Sequence, residues 1–209
     1  MRMILLSAAI ATAAPADIGP RIFYSKSFPG SSPAYMEIRV ERDGRVEYKE
    51  SVDDDQPVRF KLAEPEVNDM FALAEKLDHF KRPLESGLPV AKMGEKTFRF
   101  ESVAQKHEVK FNYSLDESAR LLQDWFEKIT ETVLHRSALE RAVRYDKLGV
   151  NKVLLQLQIS MERNRLTGGE MLLGFLDRVR NNDTYLNMAR ERAAAIAEAI
   201  RNPKPKAEP

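Results

Sequence analysis

The chain has 209 residues, of which 43% are apolar and 31% are charged, with both signs of charge mixed along the sequence. This composition is typical of a folded globular protein and excludes a largely disordered chain. With 33 basic and 32 acidic residues the charge is almost balanced, so composition gives no electrostatic argument for binding to nucleic acid or to an anionic membrane.

The first 16 residues have the layout of a secretory signal peptide. Arg2 precedes an apolar run over 3–13, and small-residue cleavage sequences lie at 11–13 and 14–16. A membrane anchor and a buried strand are the alternatives, but about 20 apolar residues are needed to span a bilayer. We expect a secreted or periplasmic protein with no membrane span after signal removal. Because the chain contains no cysteine, its stability must come from packing without disulfides.

Alternating apolar and charged residues predict strands in the first half of the chain. Residues 21–25 predict a first strand, and 28–33 predict a loop. Around 43–44 the alternation predicts a β-hairpin with one dry face, formed by Met36, Ile38, Val40, Val46 and Tyr48. Keeping that face dry requires Val40 opposite Val46, and therefore a three-residue loop over 42–44 with Gly44 left-handed.

The remaining elements of this half follow the same logic. A strand is predicted over 58–62, then a helix opened by Pro65 that ends near Phe80, with a buried face of Val67, Met70, Phe71, Ala74 and Leu77. After a loop over 83–95, a second hairpin with its loop at 103–106 places four side chains on one face: Phe98, Phe100, Val109 and Phe111. The fold class is therefore α+β, an antiparallel sheet of five or six strands with helices on one face.

One long helix is predicted over 114–145, and it joins two halves of different character. Ser114 and Glu117 have the spacing of a capping box. One apolar stripe comprises Leu115, Ala119, Leu122, Phe126, Ile129 and Val133. A new stripe then starts at Leu139, Ala142 and Val143. The first part of the helix should pack on the sheet, and the last part on the C-terminal residues that come after the helix.

Everything beyond this helix is predicted to be helical. Residues 150–161 fit a helix, although the alternation over 153–161 also allows a strand. Thr167 and Glu170 have the spacing of a second capping box, and Asn182 or Asp183 is expected to cap a last helix. The predicted organisation is a signal peptide over 1–16, a sheet domain over 17–132, a helical region over 133–201 and a disordered tail over 202–209.

The two halves differ in charge. Residues 17–132 contain 18 basic and 23 acidic side chains, a net charge of −5, and residues 133–209 contain 14 and 9, a net charge of +5. The halves can dock on each other through this difference or simply differ in composition. The third interpretation is a basic helical surface for an acidic partner.

No motif for catalysis, cofactor binding or metal binding is found, so no site residue is assigned. The three histidines, His79, His107 and His135, are separated and lack zinc-ligand spacing. The acidic run 53–55 lacks the spaced ligands of a calcium loop and predicts a solvated turn, and 93–97 departs from the phosphate-loop pattern. Trp125, the only tryptophan, either seals the edge of the helix–sheet contact or forms an exposed anchor for a partner.

Two stretches carry a resemblance. Residues 30–35 (GSSPAY) and 43–48 (DGRVEY) resemble the opening of a bacterial secreted domain family of unknown function, whose pattern is G-x-C-P-x-Y followed by D-G-x-V-x-Y. Ser32 stands where that family has cysteine, so any role of the thiol is lost. The predicted order of strands, helix, hairpin and helix, over about 20–130, is also similar to emfourin-type inhibitors of thermolysin-like proteases. This second resemblance implies protease inhibition.

These observations favour a secreted, non-enzymatic interaction protein with an unidentified protein partner. An emfourin-like inhibitor and a hydrolase that uses carboxylates or Ser32 in the 28–35 loop are the alternatives. A homo-oligomer formed through 134–201 is a further expectation.

Overall fold

The computed structural model describes residues 19–203, which form six strands and five α-helices. The strands are β1 (Arg21–Ser27), β2 (Tyr35–Glu41), β3 (Arg45–Lys49), β4 (Val58–Lys61), β5 (Glu95–Glu101) and β6 (Lys106–Phe111). The helices are α1 (Glu64–Lys76), α2 (Glu117–Tyr145), α3 (Val150–Glu162), α4 (Leu173–Arg180) and α5 (Asn187–Arg201). The predicted signal peptide and most of the predicted tail lie outside the described residues. No helix in the described range is long and apolar enough to cross a membrane.

The strands form one antiparallel sheet in the order β4-β3-β2-β1-β5-β6. The first hairpin has the predicted register, with Val40 opposite Val46 and Ile38 opposite Tyr48. Its loop also has the predicted form, since Gly44 is left-handed at φ 90° and its N–H donates to the Glu41 carbonyl at 2.9 Å. The predicted α+β class, with a helical part after the sheet, is confirmed.

The second hairpin keeps the predicted face but not the predicted loop. Phe98 lies opposite Val109 and Phe100 opposite His107, so the loop is 102–105 rather than 103–106. The Ser102 N–H donates to the Gln105 carbonyl at 2.9 Å and closes this tighter connection. Apolar alternation fixes which face is dry, but a slip of two residues preserves that face.

The two faces of the sheet have different environments. The inner face packs against α1 and α2 to form the first core, which includes Ile22, Tyr24, Ile38, Tyr48, Phe98, Met70, Leu122 and Phe126. The outer face carries ion pairs such as Arg39–Glu47 at 3.2 Å. At its centre Phe23 lies beneath the guanidinium of Arg99, 4.0 Å from the ring centroid, with Arg21 at 5.3 Å.

Helix α2 is continuous from Glu117 to Tyr145, about 44 Å at 1.5 Å per residue. The predicted Ser114 capping box is wrong, because Asp116 is the N-cap and accepts from the Ala119 N–H at 3.1 Å. Ser114 instead accepts from the Asp116 N–H at 3.2 Å, which forms a turn before the helix and leaves Leu115 exposed.

The two predicted stripes of α2 separate as expected. Every residue of the first stripe except Leu115 lies in the first core. The second stripe, which begins at Leu139, lies in a second core with residues from α3, α4 and α5.

The helical part decides one open alternative and corrects two predicted helix caps. Residues 150–162 are a helix, so the strand alternative is wrong. Thr167 forms no capping box: it is buried, and its hydroxyl donates to Glu66 Oε1 at 2.6 Å. Asn182 accepts from the Thr184 N–H in a turn, and α5 begins later, at Asn187. In both cases a side chain that can cap a helix bonds locally or across the structure instead.

Candidate functional site

A cavity of about 260 Å³ lies between the 28–34 loop and the middle of α2. We call it the loop cleft. Strands β1 and β2 contribute one wall, the loop a second and α2 a third, with one side chain from the segment after α3. Its lining residues are Tyr24, Lys26, Ser31, Ser32, Pro33, Met36, Glu127, Thr130, Glu131, Leu134 and Arg165.

Tyr24 lies on the sheet wall of the loop cleft. Its side chain is 0% exposed and its ring stacks on Phe126, with 4.9 Å between the ring centroids. The hydroxyl has no hydrogen-bond partner within residues 19–203. Burial, and then the charge of Glu127, raise the pKa of Tyr24, so the phenol is neutral. A buried hydroxyl without a partner is costly, and such a group needs an explanation.

Two unpaired charges of opposite sign also face the loop cleft. Lys26 continues the inner face of β1, and in the described part of the chain its ammonium forms neither an ion pair nor a hydrogen bond. Glu127 accepts a hydrogen bond from Gln123 Nε2 at 2.8 Å, and among residues 19–203 it pairs with no cation. No ion pair joins the two within residues 19–203, although both line the loop cleft.

A second lysine lies beside Lys26. Lys96 is opposite Lys26 in the β1–β5 pairing and donates from Nζ to the Asn112 carbonyl at 2.6 Å. Burial lowers the pKa of Lys96 and the charge of Lys26 lowers it further, while the charges of Glu127 and Glu85 offset this in part. Because Lys96 is held by Asn112, Lys26 is the cation left available to the loop cleft.

The two other charged side chains that line the loop cleft, Glu131 and Arg165, already have partners. Arg165 donates to Glu131 Oε2 at 3.0 Å and also to Asp124. Ser160 donates to Glu131 Oε1 at 2.7 Å and lies 2.9 Å from His135 Nε2. Burial acts to raise the pKa of Asp124, but its hydrogen bonds with Lys128 and Arg165 outweigh this and lower it.

The histidines do not converge on the loop cleft. Burial lowers the pKa of His135, and the nearby charge of Glu131 offsets this only in part. His79 packs on Phe100, with 4.3 Å between the ring centroids, and His107 pairs across the sheet with Phe100. The described chain contains no group of three or more residues arranged to hold a metal ion.

Ser32, proposed from sequence as a nucleophile, is exposed at the mouth of the loop cleft. The neighbouring Ser31 hydroxyl lies 2.9 Å from the Phe28 carbonyl and 2.6 Å from the Pro33 carbonyl, which ties it to the loop backbone. Among the described lining residues no histidine is present to activate either hydroxyl.

Trp125 lies partly buried against the first core, with Lys128 Nζ 5.2 Å from its ring centroid, in agreement with the edge-sealing interpretation.

A second surface lies at the far end of the helical part, and we call it the apolar tip. Four large apolar side chains are exposed there: Tyr145 (80%), Leu148 (78%), Leu186 (51%) and Met188 (58%). The α2–α3 and α4–α5 connections meet at this end, because Lys147 donates to Thr184 at 3.2 Å and Asn151 to Met188 Sδ at 3.5 Å.

No protein-family model matches the chain, and no curated protein matches it significantly. The function is therefore inferred from the geometry of the site.

Sequence reasoning missed Tyr24, Lys26 and Glu127, because Glu127 lies far along the chain from the other two. One signal was present, since Lys26 follows Ile22 and Tyr24 on the dry face of β1, where a charge is unexpected.

Proposed function

We propose that the protein is an exported, non-enzymatic interaction protein that binds a protein partner through the apolar tip. The observation that carries this proposal is the exposure of Tyr145, Leu148, Leu186 and Met188 at one end of the helical part. Isolated exposed apolar residues are common, but a group of large ones at one end is typical of an interaction site.

The charges around the apolar tip define the partner's chemistry. The acids there are engaged: Asp183 pairs with Arg190 at 2.8 Å, and Asp146 accepts from the Gly149 N–H at 2.9 Å. Arg141 and Lys152 form no ion pair in the described range. The fitting partner is a segment with apolar side chains flanked by acidic residues, which can pair with Arg141 and Lys152.

A photo-crosslinking residue at position 148 tests the proposal in the full chain. The matched control is position 103 in the β5–β6 loop, because Val103 and Leu148 are equally exposed at 78%. We expect a discrete product only from position 148, lost with Met188→Glu. A peptide of the crosslinked region should be acidic and apolar, and its binding should weaken with salt. Equal crosslinking at 103, or a concentration-dependent dimer abolished by Leu148→Glu, would remove the proposed hetero-partner.

Export is tested separately by the mass of the mature chain. We expect a protein that starts at residue 14 or 17, in agreement with the small-residue sequences before those positions. A protein recovered with residues 1–16 intact argues against export by this route.

Inhibition of thermolysin-like proteases is the alternative binding function. It is supported by the order of four strands, α1, the β5–β6 hairpin and α2, which is the order implied by the resemblance. Residual protease activity in the presence of micromolar protein tests it, and full activity removes this alternative.

Hydrolysis is the alternative in which the protein is an enzyme. It is favoured by the presence of Ser32 and Glu127 in one cavity. Turnover of ester and glycoside substrates by the wild type should then disappear in Ser32→Ala or Glu127→Gln. Turnover that both variants retain excludes this cavity as the active site.

A further inference from the structure

We propose that the loop cleft binds a free α-amino acid with an apolar side chain, its carboxylate at Lys26 and its ammonium at Glu127. This inference does not depend on the apolar tip. It rests on three observations in the cavity: a buried hydroxyl without a partner, two unpaired charges of opposite sign and an apolar wall.

The Tyr24 hydroxyl points to a polar ligand. The side chain is 0% exposed, lines the cavity and has no hydrogen-bond partner within the described residues. Packing alone needs only the ring, which already contacts Phe98 and Phe126. The hydroxyl itself is covered in this structure, so a ligand group bonds to it once the neighbouring side chains shift aside, and a phenol can then both donate and accept.

The charges select a zwitterion. Four ionisable side chains besides Tyr24 line the cavity, but Glu131 and Arg165 bond to each other at 3.0 Å. Lys26 on β1 and Glu127 on α2 remain, and neither forms an ion pair within residues 19–203. A purely anionic ligand leaves Glu127 unpaired in a partly closed site, and a purely cationic one leaves Lys26 unpaired. A ligand with both charges satisfies both walls.

The volume of the cavity and its apolar surface favour a small ligand with an apolar side chain. The volume of about 260 Å³ lies below the range of about 300–1,000 Å³ that is usual for drug-sized ligands. Met36, Leu134 and Pro33 supply apolar surface beside the polar groups. An amino acid such as leucine or methionine fits both the volume and this surface.

Calorimetry and thermal shift of the full chain with L-leucine test the site. N-acetyl-L-leucine lacks the ammonium and L-leucinamide lacks the carboxylate, so each should bind at least about tenfold more weakly than leucine, the effect of one lost charged contact. Lys26→Met and Glu127→Gln should each weaken leucine binding by a similar factor. Tyr24→Phe should weaken it while the protein stays folded.

Matched variants separate binding from folding. Glu162→Gln is the control for Glu127→Gln, because Glu162 accepts from Gln158 four residues earlier as Glu127 does from Gln123. Lys81→Met, on an exposed lysine that pairs with Asp78, is the control for Lys26→Met. Both controls should bind leucine like the wild type.

Three outcomes overturn the inference. The absence of any response to free amino acids at about 10 mM, where even a millimolar ligand saturates, means that the cavity holds only solvent. Equal binding of leucinamide means a site for cations only. Equal binding of N-acetyl-leucine means a site for anions only.

Discussion

Thr132 is a single buried side chain that serves both parts of the molecule. Its hydroxyl donates to the Lys128 carbonyl at 2.8 Å within α2, and it accepts from the Thr167 N–H at 3.2 Å across the junction. Both threonines are buried, so the Thr167 amide has no access to water. This hydroxyl was not identified from sequence, because position 132 lies outside the apolar stripe.

Thr132→Val tests the value of this bond. The substitution keeps the shape of the side chain but leaves a buried N–H without a partner, so we expect a loss of about 1–3 kcal/mol in the free energy of unfolding. Urea unfolding measures it. Thr132→Ser keeps the hydroxyl and should lose less than Thr132→Val; an equal loss in both variants would assign the effect to packing.

His135 makes stability depend on pH. Burial lowers its pKa below the ordinary value of 6.5, despite the nearby Glu131. Between pH 6.5 and the lower pKa of His135 in the folded chain, the unfolded chain binds more protons than the folded one, so stability falls as the pH falls through this range. Urea unfolding at pH 7 and pH 5 should show this fall in the wild type and a smaller one in His135→Gln. His107→Gln, in the β5–β6 hairpin, should behave like the wild type.

At the scale of elements, the turn before α4 connects the helical part to the sheet. Gly168 is left-handed at φ 62°, and a Cβ placed there would lie 2.8 Å from Phe60 Cε2 of β4. The turn therefore combines a backbone conformation that favours glycine with a close approach to the sheet. Beside it, the Thr167 hydroxyl reaches Glu66 of α1.

Gly168→Ala should therefore destabilise the protein by more than about 1 kcal/mol, because the new methyl group meets both strain and a clash. Gly174 in α4 is the matched control, since a Cβ there meets nothing within 4 Å. Gly174→Ala should be neutral or stabilising by up to about 1 kcal/mol, given the better helix propensity of alanine. Thermal unfolding compares them, and equal melting temperatures would contradict the role of the turn.

The elements also show which features of sequence are informative. The register of the first hairpin follows from its alternating residues, and the stripe of α2 follows from its spacing. The helix caps were mispredicted because Ser114 and Asp116 can both cap, and only the path of the chain selects Asp116. The loop cleft was not predicted, because it requires positions 24, 127 and 165 to meet in three dimensions.

At the scale of the whole molecule, two hydrophobic cores share one helix. The first stripe of α2 enters one core and its second stripe the other, while Thr132, Thr167 and Gly168 tie the parts together beside the helix. Unfolding of one core alone would expose half of α2 and break these bonds, so partial unfolding has a high free-energy cost.

We therefore expect one cooperative unfolding transition. Trp125 is the only tryptophan and packs against the first core, so its fluorescence reports the sheet part, whereas far-UV circular dichroism is dominated by the helices. The urea midpoints from the two signals should coincide. A lower midpoint by one probe would show that the parts unfold separately.

The outer face of the sheet has a consequence for behaviour at high concentration. Within residues 19–203 no layer covers the outer face of the six strands, and an uncovered sheet face can stack against a second molecule. Here the central ring of Phe23 is shielded by Arg99, and charges such as Arg39 and Glu47 alternate around it. A stacked pair would have to dehydrate these ions without a matching surface opposite. The charged groups on the outer face of the sheet thus oppose the stacking of two molecules through this face.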